Sequence, residues 1–199
     1  MENTNQSFVS KNLWWMITLG VLIVIAMFSV GYYNNFVTLD QNVNSQWSEV
    51  ENQYQRQADL IPNLVSVVSS SVTSETKFMT DVIAARSDYQ NAQTTLEKDK
   101  AGTVMNNQLA IFVRSVAEQY PNFKANAQYI TLTDELTGTQ NRITVARGNY
   151  INTIKDYNTQ TKTFPAVLFA KIYGFNEKQY YTANEGATTT QQIGTGKLP

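Results

Sequence analysis

The sequence predicts an all-α protein: an N-terminal transmembrane helix followed by an antiparallel bundle of long helices, of the four-helix-bundle type, kinked at Pro62 and Pro121. Three observations point there. Leu13 to Val30, LWWMITLGVLIVIAMFSV, carries no charged residue. Apolar residues then recur at spacings of three and four through most of the remaining chain. No alternating apolar–polar run of useful length interrupts them.

The apolar stretch comes first. At ~1.5 Å per residue it spans ~27 Å, and continuing it to Tyr33 makes a comfortable bilayer crossing. Trp14 and Trp15 mark one end and Tyr32 and Tyr33 the other, as aromatics at a membrane interface do. A cleaved signal peptide is the competing reading. It is disfavoured by the length of the apolar stretch, by Lys11 as the sole side-chain cation ahead of it, and by the poor cleavage site SVG. The lipid bilayer is thus the partner expected for Leu13 to Tyr33, in a single-pass protein of the cell membrane. Lys11 precedes the span, whereas Asp40, Glu49 and Glu51 come before the first later cation, Arg56. The positive-inside rule then places residues 1–12 in the cytoplasm and the bundle outside.

The bundle is expected over residues 34–175. Val43, Trp47, Val50, Tyr54, Ile61, Val65, Val68 and Val72 form one stripe, with Gln57 or Ala58 filling the missing step. It continues through Met79, Val82 and Tyr89, and the polar run EKDKAGT around Gly102 reads as a turn. A second stretch starts near Val104 and includes Met105, Leu109, Phe112, Val116 and Tyr120. After Pro121 a third runs through Tyr129, Leu132, Leu136, Ile143, Tyr150, Ile154 and Tyr157. Phe164-Pro165 ends it, and a dense apolar group from Phe164 to Phe175 follows, suited to capping the bundle or lying on a membrane or another subunit. Residues 176–199, rich in Thr, Gln and Gly, read as a disordered polar tail.

Pro62 sits inside the first stripe. A proline within a helix costs ~3 kcal/mol, because it removes one hydrogen bond and its ring crowds the carbonyl four residues back, here Ala58. The stripe keeps its phase across Pro62, which favours a kink over a break. If the chain folds back at Gly102, residues whose numbers sum to ~200 face each other, and Pro62 meets Gly138, where a bent helix can come close.

Composition excludes much chemistry. The 199 residues include no cysteine and no histidine. Thiol nucleophiles, disulfides, iron–sulfur clusters, Ser–His–Asp triads and Glu-x-x-His di-metal sites are therefore out of reach. With 15 Lys+Arg against 16 Asp+Glu, no basic excess exists to hold nucleic acid. A carboxylate-only site would have to use Glu49, Glu51, Asp59 or Glu75, acids that read as solvated surface. GTGK at the C-terminal end has the wrong spacing for a phosphate loop, and NQS at Asn5 is too short a match to weigh.

Several blocks resemble the LemA family: YNNFVTLDQNVNSQWSEVENQYQRQADLIPNLV (Tyr33 to Val65), YPNFKAN (Tyr120 to Asn126), ELTGTQNRITVAR (Glu135 to Arg147) and YNTQTKTFP (Tyr157 to Pro165). The resemblance covers Leu13 to about Phe175. It implies antiparallel long helices hung from one N-terminal membrane helix, with no agreed biochemical activity. Two positions depart from the family pattern. Gln57 stands where an arginine is usual, leaving Arg56 to substitute, and Gln140 replaces the Glu of a Thr-Glu-Asn.

Polar residues in or beside the stripes form the candidate site: Arg56, Asp59, Pro62, Asn63, Gly138, Asn141, Arg142 and Arg147. A network among them at the kink is expected to satisfy the carbonyl freed by Pro62 and fix helix register, or to receive a partner. No catalytic residue, metal or cofactor is expected. The functional expectation is a membrane-anchored, self-associating scaffold or adaptor that binds other bacterial envelope proteins. The alternative is a sensory domain with a small ligand between its helices. That alternative needs an output module, and only about a dozen polar residues precede the anchor.

Overall fold

The structure, a computed structural model, describes residues 4–70 and 77–180, with side chains from Leu13 onward apart from Asn122 and Lys124. It contains five α-helices: α1 (Thr4–Ser69), α2 (Lys77–Asn91), α3 (Thr95–Gln119), α4 (Ala127–Lys162) and α5 (Ala166–Tyr173). A 3-10 turn, Pro121–Ala125, joins α3 to α4. The all-α expectation holds, and no strand occurs among the described residues. The described residues group into two compact units, one within Asp40–Thr153 and one within Met1–Leu39 and Ile154–Pro199, so α1 and α4 contribute residues to both.

In the first unit the stripes become the core. Val43, Val50, Tyr54, Ile61 and Val68 of α1 are buried, and Gln57 and Ala58 together fill the missing step. Leu64 is buried where Val65 was expected, the neighbouring position of the same 3.6-residue turn. Trp47 is only half-buried and packs on Tyr150, ring centres 5.5 Å apart. Val72 lies outside the described residues. Met79, Val82, Ala85 and Tyr89 of α2, Met105, Leu109, Phe112 and Val116 of α3, and Tyr129, Leu136, Ile143 and Tyr150 of α4 complete the core.

Cross-helix contacts give the directions. The Ala58 carbonyl meets Arg86 and the Glu51 carbonyl meets Tyr89, so α2 runs antiparallel to α1. Glu51 pairs with Lys98 and Gln57 with Asn106, so α3 runs parallel to α1. Trp47 meets Tyr150, Tyr54 meets Arg147 and Arg56 meets Glu135, so α4 is antiparallel again. This is an up-down-up-down four-helix bundle rather than one extended hairpin.

The turns differ from expectation in an instructive way. The chain passes Pro62 without leaving α1, which ends only at Ser69. It also does not reverse at Gly102. The turn lies at Ala92–Thr94, where Thr94 and Glu97 form a reciprocal cap: the Thr94 hydroxyl accepts from the Glu97 N–H at 3.2 Å, and the Glu97 carboxylate accepts from the Thr94 N–H at 3.0 Å. At Pro121 the chain leaves the helix, because the residue before a proline is pushed out of α geometry, and Tyr120 has φ −127°, ψ 70°.

Gly102 instead sits inside α3, pressed against the buried Tyr54 ring. A Cβ there would lie 2.8 Å from two ring carbons. Glycine at this position lets α1 and α3 approach. Gly138, expected to face Pro62 closely, has open space where a Cβ would be, so that pairing is overturned.

In the second unit, the apolar side chains of residues 13–30 are exposed, from Ile25 at 50% to Trp15 at 75%. A core helix of this composition would be covered. This helix is long and apolar enough to cross a membrane. Trp14 and Trp15 are exposed, whereas Tyr32 stacks on Phe169 of α5 at 5.0 Å and Tyr33 meets Tyr173 edge-on at 5.1 Å. Phe36, Ala166 and Ala170 form a small core there. Gly174, with φ 76°, ends α5, and the Phe175 N–H returns to the Ala170 carbonyl at 2.9 Å. The tail expected to be disordered from residue 176 is pinned at its start: the Asn158 amide bonds both backbone groups of Lys178, and Lys162 pairs with Glu177 at 2.6 Å. Residues 181–199 of that segment lie outside the described residues.

Gly102→Ala and Gly138→Ala test the glycine roles. The first forces the held Tyr54 ring to move and is expected to lose about 1–3 kcal/mol. The second fills empty space in a helix and is expected to gain up to about 1 kcal/mol. Denaturant unfolding of both variants measures the opposite signs.

Candidate functional site

The residues singled out in sequence do not assemble at Pro62. Arg56 is exposed and pairs with Glu135 at 2.8 Å, so it does not take the buried place that Gln57 holds. Asp59 is exposed and accepts from Gln55 at 2.8 Å, and Asn63 faces outward. Asn141 and Arg142 are exposed too, lining a shallow groove of about 320 Å³ with Glu49, Gln53, Val145 and Ala146. Of the set, Arg147 alone turns into the bundle. Helical phase explains this: 56, 59 and 63 sit away from the buried line 54, 57, 58, 61 and 64, and 141 and 142 flank the buried Ile143.

The carbonyl freed by Pro62 is nevertheless satisfied. Arg86 of α2 donates its Nε–H to the Ala58 carbonyl at 2.8 Å. A side chain from the next helix replaces the backbone donor that proline lacks, so the helix continues. Sequence reasoning missed Arg86. Its signal was its position between Val82 and Tyr89, one place after the buried Ala85.

The second unexpected feature is a polar cluster in the core, built around Arg147. Its guanidinium donates to the Tyr54 hydroxyl and the Thr103 hydroxyl, each at 3.3 Å, and stands 3.4 Å from Asp99 Oδ1. Asp99 and Thr103 share a face of α3, four residues apart. One turn further on, Gln57 donates to Asn106 Oδ1 at 3.1 Å. These groups form a ladder of polar contacts between α1 and α3, with Arg147 of α4 clamping its first rung. A slip of either helix would strand buried polar atoms, which is how such groups set register.

Burial governs the electrostatics. Asp99 is only 5% exposed, and desolvation pushes its carboxyl up to about 6 despite the nearby Arg147 charge. Burial wins because the contact is long and Oδ1 accepts no hydrogen bond. Desolvation also raises Tyr54, against the pull of Arg147, and lifts Tyr89 to about 12. Both phenols therefore stay protonated at neutral pH, with Tyr54 accepting from Arg147 and Tyr89 acting as a donor. The Tyr89 hydroxyl donates to the Glu51 carbonyl at 3.2 Å.

The acids considered for a carboxylate site are spread out. Glu51 pairs with Lys98, Glu49 accepts from Gln53 at 2.7 Å, and Glu75 lies outside the described residues. Among the described residues no three acids converge as metal ligands would.

A family model described as "LemA family" matches residues 46–194. The match begins past the apolar stretch and extends beyond Phe175, so it is placed later along the chain than the sequence resemblance suggested. No curated protein matched the chain.

Two outcomes follow from this geometry. Arg86→Met should cost about 1–3 kcal/mol by orphaning the Ala58 carbonyl. In a Pro62→Ala background, residue 62 supplies its own N–H, so the same substitution should cost clearly less, and a double-mutant cycle measured by urea unfolding reads the difference. For Asp99 the folded-state pKa lies above its ordinary value of 3.8, so the folded protein binds this proton more tightly. The resulting stability is fully present below ~pH 4 and lost as pH rises through ~6, by at most about 3 kcal/mol. Asp99→Asn should remove that part of the slope, seen by comparing unfolding curves of the two proteins from ~pH 4 to ~pH 7.

Proposed function

The chain belongs to the LemA family, and we propose that it is a single-pass, membrane-anchored helical scaffold or adaptor of the bacterial cell envelope, self-associating and without catalytic activity. One observation carries the reading. The helix that supplies Tyr54, Ile61 and Val68 to the bundle core also carries the uncharged, uncovered apolar residues 13–30. Such a surface is stable in lipid and costly in water.

The polar interior supports a structural role. Arg147 spends donors on Tyr54 and Thr103 inside the bundle, and Arg86 mends the backbone at Pro62. The outer groove pairs an exposed Val145 with Glu49, Gln53, Asn141 and Arg142, a mixed apolar and polar surface suited to a protein partner. The positive-inside rule sets the bundle on the exocytoplasmic side.

Topology and mass test this reading. The chain lacks cysteine, so Thr144→Cys gives one exposed label site on α4. An impermeant maleimide should label it in intact cells, and labelling only after lysis would put the bundle in the cytoplasm. Light scattering in detergent should give a multiple of 22.5 kDa, and a monomer mass would remove self-association.

A further inference from the structure

We infer that α5 is a second membrane-contacting element, lying in the interfacial layer of the bilayer with Leu168 and Ile172 directed into lipid. This rests on the membrane-anchor reading of residues 13–33 and deepens it. Leu168 and Ile172, four positions apart, lie on one face of α5 and are exposed at 52% and 74%, and Phe164, just ahead of the helix, is exposed at 78%. The opposite side of α5 is occupied, with Ala166 and Ala170 buried against Phe36. The helix is thus apolar on both sides, small residues inward and large ones outward. Apolar side chains on two opposite sides of a helix call for apolar surroundings on both, yet only one side of α5 is covered by protein.

Its place along α1 identifies what covers the other side. The Tyr173 hydroxyl hydrogen-bonds with the Ser29 hydroxyl, one residue before the apolar stretch ends. Phe169 stacks on Tyr32, and Phe175 packs on Tyr33 and Phe36 at 6.0 and 5.2 Å. All of these contacts fall between Ser29 and Phe36, ~10 Å along the helix axis. That is the depth at which a crossing helix emerges through a headgroup layer ~5–7 Å thick. A helix docked there has its outer side level with the headgroup and acyl boundary, where interfacial helices bury an apolar face. Phe28 and Val30 of the span are exposed, and Tyr33, a turn further along α1, meets Tyr173 of α5 while both stay partly exposed. Lys171, the sole charge in α5, is exposed beside Leu168 and can extend to lipid phosphates.

The test uses single cysteines in the full chain, reconstituted in phosphatidylcholine–phosphatidylglycerol vesicles and labelled with an environment-sensitive fluorophore. Lipids spin-labelled near the carbonyl or deep in the chain serve as quenchers. Ile172→Cys and, as a second site against misfolding, Leu168→Cys should be quenched several-fold more by the shallow label than Thr144→Cys. Ile23→Cys, inside the span, should be quenched best by the deep label. If Ile23→Cys responds but positions 168 and 172 behave like position 144, α5 is not in the membrane and the inference is overturned while the anchor stands. If positions 168 and 172 are shielded from lipid and instead self-quench between labelled copies, a second chain covers this face of α5 and the inference is likewise overturned. If Ile23→Cys does not respond, the anchor reading itself fails and takes the interfacial helix with it.

Discussion

The approach of the Tyr54 ring to Gly102 is the contact on which the bundle's interior depends. It brings α1 and α3 within a distance at which a Cβ at 102 would collide with the ring. That closeness puts the Tyr54 hydroxyl between α3 and α4, where Arg147 reaches it together with Thr103 and Asp99. The same spacing lets Gln57 bond Asn106. Glycine here is a matter of room, since its helix geometry is one that any residue can adopt.

A charged and hydroxylated core is an unusual choice for a small bundle, because apolar packing alone could hold four helices. Replacing such groups with hydrophobic residues is often neutral or stabilising elsewhere, so the benefit lies in uniqueness more than in stability. Four amphipathic helices with similar Val, Ile, Leu and Tyr stripes can be stacked in more than one register. Arg147 accepts one of these arrangements. Asp99 bears the strain of that choice, since its carboxylate is desolvated more than it is compensated.

Much of the fold was legible from residue spacing. The stripes along α1 and α4 proved to be core almost position by position, because a 3.6-residue period leaves little freedom in which face is buried. The turns were harder. Gly102 looked like punctuation because glycine and charges crowd around it, while the real signal was Thr94 with Glu97 three residues later, a pattern readable in sequence as a helix start. The candidate site was mostly hidden. Pro62 announced that the Ala58 carbonyl needed a donor, but nothing local shows which distant side chain would provide it. The residues nearest in sequence, Asp59 and Asn63, turn outward. Arg147 was found because it sits in the apolar stripe, between Ile143 and Tyr150. Asp99 was passed over because an aspartate in the run EKDK reads as solvent-facing.

The Arg86 bond to Ala58 has a consequence for how the chain behaves as it forms. Helices ordinarily mature from their own hydrogen bonds, so a ribosome-bound segment can acquire its final shape before later residues exist. The part of α1 around Pro62 lacks that autonomy, because its missing donor arrives 28 residues later in the chain. Secondary structure there is a tertiary product. The last turns of α1 and the helix that follows therefore mature, and come apart, as one unit.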